Sequence, residues 1–222
     1  ALWLDCGLGK TPCAIEWART VAAHTGKPVL ILTPLAVAQQ FVTEGAKFGS
    51  IVKLCRDGSH VDHPSADHSG VNVTNYDRLE KFDTSVFGGV VLDESSILKD
   101  YTSATRNALI AAFETTPFKL CCTATPAPND HVELGNHAEF LGVMSRTEML
   151  ASFFVPDGGD TSEWRLKGHA QKDFWAWVAG WAIMARRPSD IGFSDDGFDL
   201  PELRVIEHRI EAGEPQDGYI FA

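Results

Sequence analysis

Two short runs constrain the fold of this 222-residue chain more than any other feature. Pro28-Val29-Leu30-Ile31-Leu32-Thr33 and Gly89-Val90-Val91-Leu92-Asp93 are apolar and rich in β-branched residues, with no alternation of polar and apolar positions. Neighbouring side chains of a strand point to opposite faces, so a strand without alternation must be covered on both. Such strands belong to parallel sheets, and a parallel pair needs a crossover, usually a helix, between its members. Helix-like segments stand where crossovers are needed. Thr11–His24 carries Ile15, Ala18, Val21 and Ala22 at helical spacing and closes at Gly26-Lys27; Leu35–Phe48 and Thr102–Phe113 read the same way. Further strands are predicted at Ala1–Asp5, Ile51–Cys55, Val71–Thr74 and Phe118–Thr123, with Arg56–Gly70 as a polar, exposed loop. This βαβα order predicts an α/β fold, a mostly parallel sheet flanked by helices on both faces.

The texture changes after Thr125. His131–Leu141 and Arg146–Phe154 are helix-like, Pro156–Gly159 reads as a break, and Lys172–Arg187 reads as a Trp-rich helix. Pro188–Pro201 is an acidic connector, and Leu203–Ile210 reads as a last strand. The expected layout is a sheet lobe over residues 1–143, then a mostly helical extension and connector over 144–222. The chain starts without Met, and both ends read as cut from something longer. Its length, about one and a half domains at ~150 residues each, buries enough surface to fold without disulfides. Five cysteines without CxxC spacing fit a reducing compartment, so a cytoplasmic location is expected. Adjacent Cys121 and Cys122 are expected in the core, on opposite faces of a strand. No apolar run approaches the ~20 residues of a membrane span, and no membrane partner is expected.

Chemistry enters at Leu4-Asp5-Cys6-Gly7-Leu8-Gly9-Lys10-Thr11, where an apolar strand turns into a helix. This is the context of a phosphate-binding loop, although Leu4 replaces the usual first small residue. Glycines let backbone N–H groups turn inward around phosphate, and the helix start adds the positive end of its dipole. Lys10 would reach the β- and γ-phosphates, and the Thr11 hydroxyl would ligate Mg²⁺. The Gly89–Asp93 strand supplies the other half of a nucleotide site, because it ends in two consecutive carboxylates. Asp93 would hold Mg²⁺ through water, and Glu94 would orient and deprotonate the attacking water. The bound nucleotide read from this pair of motifs is ATP.

Three more motifs lie at the carboxyl ends of predicted strands, the edge where open α/β sheets bind ligands. They are Thr33-Pro34-Leu35, Asn75-Tyr76 and Thr123-Ala124-Thr125-Pro126. With these in place the sequence resembles the Swi/Snf-like branch of the superfamily-two helicases, the DEAD/DEAH-type translocases. Residues 4–11 look like motif I, 29–48 like motif Ia, 73–79 like motif Ib and 120–126 like motif III. Residues 91–99 resemble motif II, with Asp-Glu-Ser-Ser where DEAD, DEAH or DEGH is usual. The likeness is strongest to phage and prophage helicase proteins, which share that box, the 123–144 stretch and Trp164-Arg165-Leu166-Lys167-Gly168-His169.

The resemblance implies a RecA-like P-loop lobe, the first motor lobe of an ATP-dependent DNA helicase or translocase. It implies nucleotide binding by Asp5, Cys6, Gly7, Leu8, Gly9, Lys10 and Thr11, with Lys10, Asp93 and Glu94 as the catalytic set and Thr11 and Asp93 holding Mg²⁺. Thr123, Ala124 and Thr125 would couple the nucleotide state to DNA, and Thr33, Pro34, Asn75 and Tyr76 would meet the DNA backbone. Ser95 and Ser96 depart from the family box, and two hydroxyls would then make its bridge to motif III. Nothing after Ile210 resembles motifs V and VI, so the arginine finger of a second RecA-like lobe lies outside the chain, as does the adenine-reading Gln before motif I. Weak ATP–Mg²⁺ binding and little turnover are expected of these 222 residues alone. Two rival readings use the same site: a restriction- or repair-type motor subunit, and a nucleotide-binding regulatory module that does not move on DNA.

Other features carry less. His60, His63 and His68, interleaved with Asp57, Asp62 and Asp67, have no standard zinc spacing and read as a solvated loop. His131 and His137, six apart on a helix, face different directions and read as cap or surface residues. Phe174, Trp177 and Trp181 form a stripe read as core packing, with base stacking as the alternative. Arg186-Arg187 reads either as a contact to DNA phosphate or a second lobe, or as two cations at a helix C-terminus. The net charge of −11 argues against a broad polyanion-binding face. It is uneven: residues 1–111 carry 10 basic and 12 acidic side chains, residues 112–222 carry 9 and 18. A DNA contact is therefore expected to be narrow and directed at the backbone.

Overall fold

The computed structural model describes residues 1–157, 160–198 and 202–208. Six strands stand close to where the apolar runs predict them: β1 (Leu2–Leu4), β2 (Val29–Thr33), β3 (Val52–Leu54), β4 (Val71–Asn75), β5 (Gly89–Asp93) and β6 (Phe118–Cys122). Two more, β7 (Phe154–Asp157) and β8 (Asp160–Leu166), form an antiparallel pair of their own. The last, β9 (Ile183–Ala185), joins the first six. Every pairing in the resulting seven-stranded sheet is parallel, in the order β3-β4-β2-β5-β6-β1-β9.

Alternation within the apolar strands divides the core in two. Val29, Ile31, Val91 and Cys122 pack on one face with α1 (Lys10–Thr25) and α2 (Ala38–Lys47). Leu30, Leu32, Val90, Leu92 and Cys121 pack on the other with α3 (Ala104–Ala112) and α4 (Leu134–Leu141). The absence of polar alternation in β2 and β5 is thus the imprint of two helical layers. Cys121 and Cys122 sit on opposite faces, as neighbours in a strand must. The expected helix from Leu35 begins only at Ala38, after a turn closed by Val37 N–H to the Pro34 carbonyl (2.9 Å).

Three expectations for the second half are corrected. Pro156 does not break the chain: it pairs with Trp164 in the β7–β8 ladder. The Trp-rich helix does not run to Arg187. It ends as α6 (Gln171–Ala179), just before Gly180, and the chain re-enters the main sheet as β9 beside β1. Residues 202–208 carry no strand and lie exposed, and among the described residues no strand covers Leu203, Val205 and Ile206; positions 209–210 lie outside the described residues. A third cluster gathers Trp3 of β1 with Met149 and Leu150 of α5 (Arg146–Phe153), Phe154 of β7, and Phe174 and Val178 of α6. Trp177 and Trp181 pack against it, Trp181 edge-on to Trp3 at 5.4 Å between ring centroids. The aromatic stripe is core.

Candidate functional site

Along the carboxyl edge of the sheet, the 5–11 loop leaves β1 and enters α1. Gly7 (φ 83°) and Gly9 (φ 80°) both take the left-handed backbone that side chains disfavour, which turns the loop back on itself. A Cβ at Gly7 would meet nothing within 4 Å, so the demand there is conformational. Gly9 caps α1 with no side-chain hydrogen bond, leaving first-turn N–H groups to the loop mouth. Asp5 shapes the entry: its carboxylate accepts from Cys6 N–H (2.7 Å), its carbonyl from Leu8 N–H (3.3 Å). Lys10 Nζ donates to the carbonyls of Leu4 (2.8 Å) and Asp5 (3.3 Å), so the ammonium lies over its own loop. Thr11 is half-buried in the first turn of α1.

Asp93 is buried at the end of β5, and Glu94 beyond it is exposed. One Asp93 oxygen, Oδ2, accepts from the Thr33 hydroxyl (2.7 Å). Burial raises the Asp93 carboxyl above its ordinary range; the Thr33 bond opposes this, the Glu94 charge adds to it, and the Lys10 charge opposes it. A buried carboxylate flanked by a second one and facing a lysine suits a hard, oxygen-liganded cation. With the Thr11 hydroxyl on the loop, the residues present fit Mg²⁺.

Glu94 is left-handed (φ 53°, ψ 51°), the one non-glycine residue with positive φ among the described residues. Such a backbone costs roughly 1–3 kcal/mol and persists only where its surroundings fix it. Here three successive carbonyls are held. The Tyr76 hydroxyl donates to the Asp93 carbonyl (2.7 Å), Ile97 N–H to that of Glu94 (3.2 Å), and His137 Nε2–H to that of Ser95 (3.0 Å). Burial lifts the Tyr76 hydroxyl well above its ordinary pKa, with the Asp93 charge adding to the shift. Burial pushes His137 down to about 4, so the imidazole is neutral.

Several assignments move. Thr33, expected at the DNA backbone, is fully buried, and its hydroxyl is committed to Asp93. His137, read as a cap or surface residue, is buried beneath motif II, while exposed His131 sits edge-on to Trp175. The Ser95 hydroxyl, expected to bridge to motif III, is buried beside the Cys121 thiol, within the 120–126 stretch, and not against Thr123. Thr123 is fully buried; its N–H donates to the Leu2 carbonyl (3.3 Å) and its hydroxyl accepts from Thr125 N–H (3.1 Å), with Ala124 half-buried between them. Pro34, Asn75, Tyr76, Glu94 and Lys99 share a cleft of about 360 Å³, so three of the four residues expected near DNA do converge beside Glu94. In the 56–70 loop, His60 pairs with Asp57 (3.0 Å) and His68 with Asp62 (3.2 Å). Arg186 and Arg187 follow β9 and so do not end a helix. Among the described residues no helix is long and apolar enough to cross a membrane.

Known proteins bear on this geometry in two ways. The fold is that of the SWI2/SNF2 ATPase core of Sulfolobus solfataricus. Its complex with dsDNA matches with a TM-score of 0.65 and 22% identity over 87% of this chain and 41% of that one. The same core domain in a second structure matches with a TM-score of 0.59 and 20% identity over 86% and 40%. The chain thus spans about two-fifths of the length of those structures. No curated protein sequence matches. The SNF2-related domain, as a sequence family, matches residues 2–153, a stretch that holds the glycine loop, the Asp93-Glu94 pair and the Thr123–Thr125 loop; the chain belongs to that family.

Proposed function

We propose that the chain is the first motor lobe of an ATP-dependent DNA translocase or helicase. The observation that carries this reading is the pair at the end of β5: a buried Asp93 with one oxygen fixed by Thr33, and an exposed Glu94 whose carbonyl, like those of Asp93 and Ser95 on either side, is held by a donor. On nucleotide binding, Lys10 exchanges the Leu4 and Asp5 carbonyls for phosphate oxygens, and the 7–11 backbone N–H groups cradle the remainder. The Thr11 hydroxyl and the Asp93 carboxylate are the groups that would hold Mg²⁺, which neutralises charge on the β- and γ-phosphate oxygens when bound. Glu94 orients the attacking water and takes its proton.

In the cleft the Asn75 amide is the neutral donor that would meet the DNA backbone, with Pro34 and the ring of Tyr76 as its walls and Asp77, Glu94 and Lys99 beside it; the Tyr76 hydroxyl is given to the Asp93 carbonyl. To Thr123, Ala124 and Thr125, which follow β6 with Thr123 N–H on the Leu2 carbonyl, we assign the coupling of nucleotide state to DNA. We assign the phosphate- and Mg²⁺-binding machinery to residues 1–143, the RecA-like ATP-binding lobe. Residues 144–222 act as an extension and connector toward a second RecA-like lobe, in a protein of phage or prophage origin.

The test is hydrolysis of ATP–Mg²⁺ under single-turnover conditions with and without double-stranded DNA. Glu94→Gln is expected to keep ATP affinity within about twofold and lower the rate at least about 100-fold. Wild-type turnover in that variant would remove Glu94 from the role of base. Because an arginine finger contributes about 10³–10⁵ in related phosphoryl transfers, the chain alone should turn over slowly. Robust DNA-stimulated hydrolysis by the 222 residues would refute the dependence on a second lobe.

A further inference from the structure

On the far side of the phosphate loop from Asp93, an apolar pocket of about 290 Å³ is shared between that loop and the segment leaving β9. Leu4 and Leu8 line it from the loop, Pro188, Ile191, Phe193 and Phe198 from the later segment, with Arg187 and Ser194 as its polar members. Ile191 is 51% exposed, Phe193 69% and Phe198 49%, a concentration of open apolar surface in one short segment.

The segment is nonetheless built. Asp190 Oδ2 accepts from the backbone N–H groups of Arg186 (2.7 Å) and Arg187 (3.1 Å). Asp195 accepts from the N–H and the hydroxyl of Ser189 (2.8 Å each), and Arg187 Nη1 lies 3.8 Å from it. These carboxylates are occupied within the segment, which leaves the exposed Arg187 guanidinium as the cation at the pocket's rim over an apolar interior. The apolar interior suits a flat, weakly polar body.

Sheet order says which part of a nucleotide arrives there. Asp93 and Glu94 end β5, which is separated from β1 by β6, whereas β9 is the neighbour of β1 on the opposite side. A γ-phosphate facing Glu94 directs the triphosphate across the 7–11 loop and leaves the nucleoside end over β9 and its exit. We infer that the pocket formed by Leu4, Leu8 and residues 188–198 holds the base of the nucleoside triphosphate by apolar and aromatic contact. The inference rests on the ATP reading of the glycine loop, and deepens it by giving the base a seat in the segment that follows β9.

Calorimetric titration of the chain with ATP and with inorganic tripolyphosphate, each with Mg²⁺, separates base from phosphate. Phe193→Ala is expected to weaken ATP about tenfold, the lower end for losing one base–aromatic contact, and to leave tripolyphosphate unchanged. Ile191→Ala should act in the same direction, and both positions are open enough for the chain to fold without those side chains. Lys10→Ala should weaken both probes. If the ratio of ATP to tripolyphosphate affinity is unchanged in both pocket variants while Lys10→Ala still weakens both probes, the pocket belongs to some other occupant and the inference is overturned, with the ATP reading intact. If Lys10→Ala weakens neither probe, the phosphate loop itself is misassigned and the base seat falls with it.

Discussion

The carbonyl oxygens of Asp93, Glu94 and Ser95 accept from Tyr76, Ile97 and His137 in turn, and Glu94 keeps its left-handed backbone between them. His137 makes this arrangement sensitive to acid. Its pKa, about 4 in the fold, lies below the ordinary 6.5, so the unfolded chain binds the extra proton first. Stability supplied by the neutral imidazole is therefore full above about pH 6.5 and lost as pH falls toward 4. Between pH 7 and pH 4.5 the loss amounts to about 2 kcal/mol. His137→Gln, whose amide can still donate to the Ser95 carbonyl but does not titrate, should lose correspondingly less. Denaturant melts at the two pH values read the difference, and equal losses in both proteins would exclude His137 as the source. Asp93 and Glu94 were legible in the sequence because two carboxylates after an apolar run have few structural uses. Thr33, Tyr76 and His137 were not, because they reach their partners across 60, 17 and 42 residues, and no local pattern encodes a contact of that kind.

Strands β2 and β5 were legible because burial on both faces removes polar residues from consecutive positions. Strand β9 was hidden for the opposite reason. Ile-Met-Ala is short, follows a helix rich in apolar residues, and leaves Ile183 and Met184 58% and 52% exposed, so neither periodicity nor composition marks it. Its place is set by β1, with Ile183 N–H donating to the Ala1 carbonyl and Asp5 N–H to the Ala185 carbonyl (3.0 Å each). In a parallel ladder, alternate residues of one strand serve one neighbour, so Met184 turns its N–H to the outer side of β9, the last strand in the sheet order. Proline scanning should expose this asymmetry. Ile183→Pro is expected to cost about 1–3 kcal/mol through the unpaired Ala1 carbonyl, and Met184→Pro less than about 1 kcal/mol. Equal losses in urea melts would contradict the register. The β7–β8 ladder escaped notice because Pro156, normally a breaker, sits in a two-stranded ladder where an outward-facing position needs no donor.

At the scale of the molecule, division of labour and division of folding do not coincide. Trp3 of the first strand is buried against His137 and against Trp181, a residue from far along the chain, and β9 covers the flank of β1. A piece ending at residue 143 would expose both. Residues 1–143 alone are expected to show no cooperative thermal transition and no near-ultraviolet aromatic signal, whereas the whole chain shows both; a cooperative melt of the short piece would establish it as an independent unit. The pairing of β1 with β9 also fixes a load path. The two strands run in the same direction, so a pull on β9 along its own axis loads its bonds to β1 together, in shear. The last of those bonds ends on Asp5 N–H, the first residue of the phosphate loop. A pull along β9 would reach the backbone within one residue of the glycine loop, and strain in that loop would return along the same seam.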